Sequence, residues 1–245
     1  MHPDIFQALD FHTPPKLVMF DLDGTLVDSA YDIAAALDSM LAINGLPLAG
    51  ESKVRQWVGN GAERLVRRAL VWVHHGDAGA LSPEQYENEA DRLPEPELQQ
   101  YLQQFLEAYQ QAPIDKTVLY PGVKESLQSL FEQNIQLAVI TNKPIALTWP
   151  ILKGLGIDHF FSLVLGGDSL PEKKPSPLPL QHALDFYKVS AQDSVMVGDS
   201  KADIYAAQAA EVKVVAVNYG YSNGVPVQNW QPNCVVSNLS LAQNV

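Results

Sequence analysis

The chain has 245 residues, of which 47% are apolar and 18% are charged, a composition typical of a soluble globule rather than a disordered chain. The formal net charge of −12 argues against nucleic acid as a partner. The single cysteine, Cys234, excludes an intrachain disulfide, and no stretch is apolar and long enough to predict a signal peptide or a membrane span. We therefore expect a cytoplasmic protein with no membrane partner, and both a monomer and a weak dimer stay open.

The first regular elements are a buried strand and a long helix. Four consecutive apolar residues, Leu17 to Phe20, predict a strand over 16–21 that is buried on both faces. A helix is predicted over 29–43, where an apolar face ends at an Asn-Gly pair. Residues 44–113 show helical spacing of apolar residues and no strand alternation, most clearly over 98–109. This stretch predicts a small helical bundle inserted after the first strand.

From Leu119 onward, predicted helices and strands alternate along the chain. Alternation of this kind predicts an α/β fold with a parallel sheet and helices on both of its faces. The predicted helices cover 122–133, 145–155, 180–187 and 201–210, and the predicted strands cover 135–140, 161–165, 194–197, 213–217 and 233–236.

Two carboxylates follow the first strand directly. Because side chains alternate along a strand, Asp21 and Asp23 leave the backbone on the same side. Gly24 lets the chain turn at once without a Cβ penalty. Two like charges this close need compensation, and Mg²⁺ is a cation that takes carboxylate ligands. The carboxyl end of a buried strand is also where open α/β sheets place their ligands.

Three later stretches place related chemistry after predicted strands or in loops. Thr141 and Asn142 offer a hydroxyl and an amide that suit phosphate oxygens. Lys174, beside its rival Lys173, is a compact positive charge in a proline-rich loop. Asp199 ends a strand, and a second aspartate, Asp203, follows four residues later. A carboxylate nucleophile, metal carboxylates, a hydroxyl and a lysine together favour a phosphoryl-transfer site.

These stretches resemble, in order, the four motifs of the haloacid dehalogenase superfamily, on its phosphatase branch. The motifs are the Asp-x-Asp-Gly-Thr run 21–25, Thr141, the Lys-Pro-x-Pro run 174–177, and Asp199 with Asp203. The resemblance implies a Rossmann-like core formed by residues 1–28 and 114–245, and an inserted α-helical cap over 29–113. Within the family, the runs 58–63, 141–144 and 197–203 are most similar to bacterial phosphoglycolate phosphatases.

The resemblance also implies a role for each motif residue. Asp21 would attack phosphorus and form an aspartyl-phosphate, and Asp23 would act as general acid and then general base. Mg²⁺ would bind Asp21, Asp199 and the Asp23 carbonyl. Asp203 would lie behind these ligands and orient them. Thr141 and Lys174 would hold phosphate oxygens and neutralise charge in the transition state.

The inserted segment offers candidates for contact with the rest of the substrate. Backbone N–H groups of Gly59, Asn60 and Gly61, before a predicted helix, would suit a carboxylate. Arg64, Arg67 and Arg68 share one helix region at i, i+3, i+4 spacing, for which a solvated basic face is the usual explanation. The alternative is that one of them reaches the site, and Arg64 is the best placed of the three. In the core, Asn142 is a substrate-binding candidate. Two roles stay open for Lys143: it contacts the substrate, or it only lines the entrance to the active site.

We therefore predict a Mg²⁺-dependent phosphomonoester hydrolase whose substrate is a small phosphorylated molecule, with 2-phosphoglycolate the preferred choice. Three alternatives share the fold or its chemistry: a sugar phosphomutase of the β-phosphoglucomutase type, a phosphatase with another small substrate, and a dehalogenase. The dehalogenase is disfavoured because dehalogenases of this fold lack the second aspartate of the first motif, which is present here as Asp23. A fourth alternative is a catalytically silent binding module, which is disfavoured because every motif residue is present.

Overall fold

A six-stranded parallel sheet is the centre of the structure, a computed structural model that describes residue 9, residues 11–76 and residues 83–239. In chain order the strands are β1 (Leu17–Phe20), β2 (Val27–Asp28), β3 (Val118–Leu119), β4 (Gln136–Ile140), β5 (Leu163–Leu165), β6 (Ser194–Gly198), β7 (Lys213–Val217) and β8 (Cys234–Val236). The sheet runs in the order β5-β4-β1-β6-β7-β8, and β2 pairs with β3 separately. Strand β1 therefore lies in the middle of the sheet, with a neighbour on each side.

Helices cover both faces of this sheet, as parallel strands joined by crossovers require. The described helices, in chain order, are α1 (Ala30–Ile43), α2 (Glu51–Trp57), α3 (Ala62–His75), α4 (Pro83–Asp91), α5 (Glu95–Gln111), α6 (Val123–Glu132), α7 (Ile145–Gly154), α8 (Leu178–Tyr187) and α9 (Lys201–Ala209).

Strand β1 is fully buried because its side chains alternate between two apolar layers. Val18 and Phe20 pack in the layer that α6 and α7 cover. Leu17 and Met19 pack in the opposite layer, which α8 and α9 cover. A charged substitution at any of these four positions would therefore enter a closed apolar core.

Helices α1, α2, α3 and α5 contribute to a third apolar cluster, which includes Leu37, Leu98 and Phe105. Two residues from elsewhere in the chain, Leu147 of α7 and Tyr221, belong to this cluster as well. The inserted helices are thus packed against the end of the sheet where β1 and β4 finish.

The short pair β2–β3 lies where the chain enters and leaves the inserted helices, with Val27 opposite Leu119. Beside it, the buried Asp32 of α1 accepts hydrogen bonds from the backbone N–H groups of Lys116 and Thr117 and from the Thr117 hydroxyl, at 2.6–3.0 Å. The two crossings are therefore tied together by backbone pairing and by one buried carboxylate.

The predicted α/β fold with a parallel sheet is confirmed, and the observed helices and strands fall within a few residues of the predicted ones. The pair β2–β3 was not predicted, because two-residue strands carry no periodicity. The division into a core and an inserted cap, with boundaries at 28/29 and 113/114, stays a prediction. Parts of the predicted core (1–8, 10 and 240–245) and of the predicted cap (77–82) lie outside the described residues. Among the described residues, none of the helices combines the length and apolarity needed to cross a bilayer.

Candidate active site

The turn after β1 places two carboxylates at the carboxyl edge of the sheet. The Asp21 N–H donates to the Val197 carbonyl of β6 at 2.9 Å, which fixes the first carboxylate between the two central strands. Gly24 turns the chain with a φ of +88°, and its N–H donates to the Val27 carbonyl. Asp21 and Asp23 are 7% and 8% exposed, so both are almost withdrawn from water.

Lys174 joins three parts of this edge through its ammonium group. Its Nζ donates to Asp21 Oδ1 at 2.8 Å, to Asp203 Oδ1 at 2.5 Å and to the Ile140 carbonyl at 2.5 Å. An ammonium group has three N–H donors, so each of them has a partner. The rival lysine, Lys173, is exposed, makes no described contact with the carboxylates, and has its Nζ beside Gly61.

Asp199 and Asp203 are held by the start of α9. Ser200 caps this helix in a reciprocal arrangement: its hydroxyl and its N–H both donate to Asp203 Oδ2, and the Asp203 N–H donates back to Ser200 Oγ. Asp199 accepts from the Thr25 hydroxyl at 3.0 Å and from the Tyr221 N–H at 2.5 Å. Both oxygens of Asp203 are thus used by its neighbours.

Asp21, Asp199 and Asp203 form a buried cluster, here called the carboxylate cluster, whose nearest oxygens lie within 4.8 Å of one another. Burial raises the pKa of Asp21 to about 7, although the nearby Lys174 lowers it. Burial, with the charges of Asp21 and Asp203, raises the pKa of Asp199 well above its usual range. A single lysine does not balance three carboxylates, so a hard divalent cation with oxygen ligands fits this donor set.

A second lysine, Lys143, pairs with the Asp23 carboxylate. Its Nζ contacts both oxygens of Asp23 at 3.0 and 3.1 Å and donates to the Tyr109 hydroxyl of α5 at 2.7 Å. Burial lowers the pKa of Lys143, and the Asp23 carboxylate offsets part of that effect. Asp23 also accepts from the Ser29 hydroxyl at 2.5 Å, so two side chains fix the position of its carboxylate.

These groups open into one pocket between the sheet edge and the inserted helices, here called the front pocket, with a cavity volume of about 40 Å³. The polar part of its lining includes Asp21, Asp23 and Thr141. Its remaining predicted members are Asn142, Gly59 and Gly61. The Asn142 amide nitrogen donates to the carbonyls of Gly59 and Lys174, and its Oδ1 is buried without a hydrogen-bond partner among the described residues.

Arg64 and Asn60 line a different cavity, here called the side cavity, whose lining also includes Lys173 and Lys174. Arg64 forms ion pairs with Glu87 and Asp91 of α4. The structure therefore does not bring the Arg64 guanidinium to the carboxylate cluster, because two acidic residues of the next helix hold it.

The expectation that Arg67 and Arg68 form a solvated basic face is wrong, since each is only 8% exposed. Arg67 pairs with Glu63 and Glu95, and Arg68 donates to the Trp57 carbonyl at 2.6 Å. Arg68 also donates to Asn60 Oδ1 at 3.0 Å, so it fixes the loop before α3. Helical spacing predicted the shared face of these arginines correctly but not the acidic partners that cover it.

Two tyrosines of the site were not predicted from the sequence. Tyr109 lies on α5, and the apolar spacing of that helix predicts only a core position. Tyr221 follows β7; its N–H donates to Asp199, and its hydroxyl accepts from the Ser29 and Ala30 N–H groups and donates to Asp28 Oδ1 at 2.6 Å. Neither position carries a local motif, so no signal in the sequence singles them out.

Residues 18–217 match the family model described as haloacid dehalogenase-like hydrolase. The chain belongs to this family of enzymes, as the four motifs predicted. A phosphoglycolate phosphatase of Nitrosococcus oceani is 41% identical over 94% of this chain and 96% of its own length. One of Pseudomonas fluorescens is 45% identical over 92% of this chain and 77% of its own length.

Solved structures agree with this family assignment. The crystal structure of a predicted phosphoglycolate phosphatase from Haemophilus somnus superposes with a TM-score of 0.83 at 38% identity, over 94% of this chain and 97% of that one. A second crystal structure, of a putative phosphoglycolate phosphatase from Lactobacillus delbrueckii, superposes with a TM-score of 0.81 at 26% identity, over 93% of this chain and 96% of that one. The predicted likeness to bacterial phosphoglycolate phosphatases is therefore confirmed.

Proposed function

We propose that the protein is a Mg²⁺-dependent phosphatase that hydrolyses 2-phosphoglycolate to glycolate and phosphate through a phosphoryl group carried on Asp21. One observation carries the proposal. Asp21 lies in a single buried site with a lysine bridge to Asp203, a second carboxylate at Asp23 and a hydroxyl at Thr141, all at the carboxyl edge of the sheet. Such a site offers a nucleophile, an acid and a positive charge on three separate groups.

Asp21 is the nucleophile in this proposal. Its carboxylate attacks phosphorus, the bond to the leaving oxygen breaks, and the phosphoryl group is later passed to water, so one difficult displacement becomes two easier ones. Asp23 gives a proton to the leaving oxygen and takes one from the attacking water. The Ser29 hydroxyl and Lys143 both hold the Asp23 carboxylate, which lines the front pocket.

Lys174 and Thr141 bind the oxygens of the phosphoryl group. Lys174 lies against Asp21 already, so its charge is in place before the transition state forms. The Thr141 oxygen accepts from the Lys143 N–H at 3.2 Å, and its own proton is then directed to a phosphate oxygen. Mg²⁺, held by Asp21, Asp199 and the Asp23 carbonyl, would polarise the phosphoryl oxygens and neutralise their charge. Asp203 positions Lys174 and Ser200 behind these groups.

Two observations support a short substrate. The names of the relatives point to 2-phosphoglycolate, whose chain beyond the phosphate is one methylene and one carboxylate. The lining of the front pocket includes Ile33, Leu65, Phe105 and Leu147. The hydroxyl groups of a sugar phosphate would find few hydrogen-bond partners on these side chains, so the lining favours the small substrate over the phosphomutase reaction.

The inserted segment 29–113 acts in this proposal as a cap over the core formed by 1–28 and 114–245. Phe105 and Leu65 of the inserted helices line the front pocket opposite Asp21 and exclude water from it. Gly59 and Gly61 also line the front pocket. The N–H groups of the 59–61 loop are proposed to contact the substrate there.

A panel of phosphate esters tests the proposed function. Phosphate release is measured from 2-phosphoglycolate, p-nitrophenyl phosphate, pyrophosphate and β-glucose 1-phosphate, each with Mg²⁺ and with EDTA, and Asp21→Asn serves as the blank. We expect Mg²⁺-dependent release that favours 2-phosphoglycolate and disappears in the blank. Release that favours another ester would overturn the substrate, and a transient bisphosphate from the sugar phosphate would support the phosphomutase instead.

A further inference from the structure

Lys143 has an unusual position for a lysine. It is 6% exposed, its ammonium contacts Asp23 and the Tyr109 hydroxyl, and it lies 4.3 Å from the centre of the Tyr109 ring. A buried ammonium is costly unless its charge is matched. The Asp23 carboxylate matches this charge in the free protein, and the reaction proposed above uses Lys174, not Lys143, for the phosphoryl group. Because the Lys143 side chain also lines the front pocket, its ammonium can meet a second group of the substrate.

The surroundings of Lys143 define what it could bind. Among the described residues that line the front pocket, Lys143 is the one cation. The apolar part of the same lining includes Ile33, Leu65, Phe105 and Leu147. A second negative charge on a substrate would be stranded in such a pocket unless it met this ammonium. A neutral hydroxyl would gain only an ordinary hydrogen bond from it, without the charge interaction.

Resting on the proposed function, we infer that Lys143 and the Tyr109 hydroxyl form the binding site for the carboxylate of the substrate. This site would set the preference for phosphorylated 2-hydroxy acids over phosphate esters that have no carboxylate. The carboxylate takes the place of one of the two Asp23 oxygens on the ammonium, so Lys143 keeps three partners. It binds without any covalent step. Lys143 supplies the full charge that the N–H groups of the 59–61 loop lack.

Because Tyr109 lies on α5 and Lys143 follows β4, this site combines the inserted helices with the sheet edge. The two residues are 34 positions apart and meet only when the inserted helices lie over the carboxyl edge. A substrate carboxylate therefore bridges the two parts of the chain at the position where the front pocket is closed. Binding energy from this remote group is then available to hold the phosphate end in place.

The test compares two substrates of nearly equal size. Values of kcat/KM for 2-phosphoglycolate and for ethyl phosphate, which has the same two carbons but no carboxylate, are measured for the wild type, Lys143→Met, Lys143→Arg and Tyr109→Phe. The matched control is Lys173→Met, which removes a positive charge close to the pocket but outside its lining. Thermal unfolding shows whether each variant is folded.

The ratio of the two kcat/KM values is the decisive readout. We expect Lys143→Met to lower this ratio by at least about 30-fold, mainly through KM for 2-phosphoglycolate, because a buried charge partner is lost. Tyr109→Phe lowers it about tenfold, the loss typical of a hydrogen bond to a charged group. Lys143→Arg keeps most of the preference, and Lys173→Met leaves it unchanged.

A role for Lys143 through Asp23 alone predicts something different. Both substrates need the same acid, so both kcat/KM values would fall together and the ratio would stay constant; that result overturns the inference while the proposed function stands. If Lys143→Met does not fold, Tyr109→Phe decides, and an unchanged ratio there overturns the inference in the same way. A wild type that does not prefer 2-phosphoglycolate overturns the proposed function and, with it, this inference.

Discussion

Gly24→Ala is the substitution whose effect follows most directly from the geometry of the site. Gly24 has a φ of +88°, and a Cβ added there would lie 2.8 Å from Asp199 Cγ, closer still to Asp199 Oδ2, and 2.9 Å from a Tyr221 ring carbon. Asp199 is itself held by Thr25 and Tyr221, so it cannot move freely. We expect the Asp199 carboxylate to shift by on the order of 1 Å to restore normal contact distances.

A shift of that size at a proposed metal ligand should lower kcat/KM about 100-fold and raise the Mg²⁺ concentration needed for half-maximal activity. The positive φ adds about 1–2 kcal/mol of strain, measured as a loss of unfolding free energy. Phosphate release from 2-phosphoglycolate over a Mg²⁺ titration, together with urea unfolding, measures the two effects separately.

Gly45→Ala is the matched control, since Gly45 also has a positive φ, +67°, but nothing lies within 4 Å of an added Cβ. We expect it to carry the same strain and keep full activity with an unchanged Mg²⁺ requirement. If Gly24→Ala retained activity within about threefold of wild type, well inside the effect expected for a displaced ligand, the argument that this close approach positions Asp199 would be refuted.

Three further predictions follow from the contacts of the site. Lys174→Met should lower kcat about 100- to 1000-fold, as loss of a preorganised charge does, whereas Lys173→Met should not; similar losses in steady-state assays would contradict the choice of Lys174. Tyr221→Phe should lower the free energy of unfolding by about 2–4 kcal/mol in urea titrations, because two buried N–H groups lose their acceptor; a loss no greater than that of the exposed Tyr31→Phe would count against it. Excess EDTA should abolish phosphate release and added Mg²⁺ should restore it, whereas turnover that persists in EDTA would remove the metal from the account.

The elements that could be predicted from the sequence are those whose signal is local. Asp21 and Asp23 follow a buried apolar run, and Asp199 follows another, so each could be placed at a strand end from a few neighbouring residues. Parallel strands bring such ends to one edge of the sheet, which is why residues 120 or more positions apart could be predicted to meet. The capping pattern Ser200 to Asp203 is equally local.

What could not be predicted depends on contacts between distant segments. Arg67 has the spacing of an exposed position, yet Glu95 of another helix covers it. Tyr109 looks like any core aromatic of a helix until its hydroxyl is seen beside Lys143. Tyr221 contacts the start of α1 from the far end of the chain. In each case the contacting residue lies in a distant segment of the chain. The sequence pattern does not specify how that segment packs against the residue, so the contact could not be predicted.

The most direct test of the whole account is to trap the phosphoryl group on the enzyme. Wild type turning over 2-phosphoglycolate with Mg²⁺ is quenched in acid, digested and analysed by mass spectrometry, with Asp21→Asn treated in parallel. The account predicts one phosphoryl group on Asp21 of the wild type, none in Asp21→Asn, and none in wild type with EDTA. Rapid turnover with no phosphorylated Asp21, or activity that survives in Asp21→Asn, would contradict it.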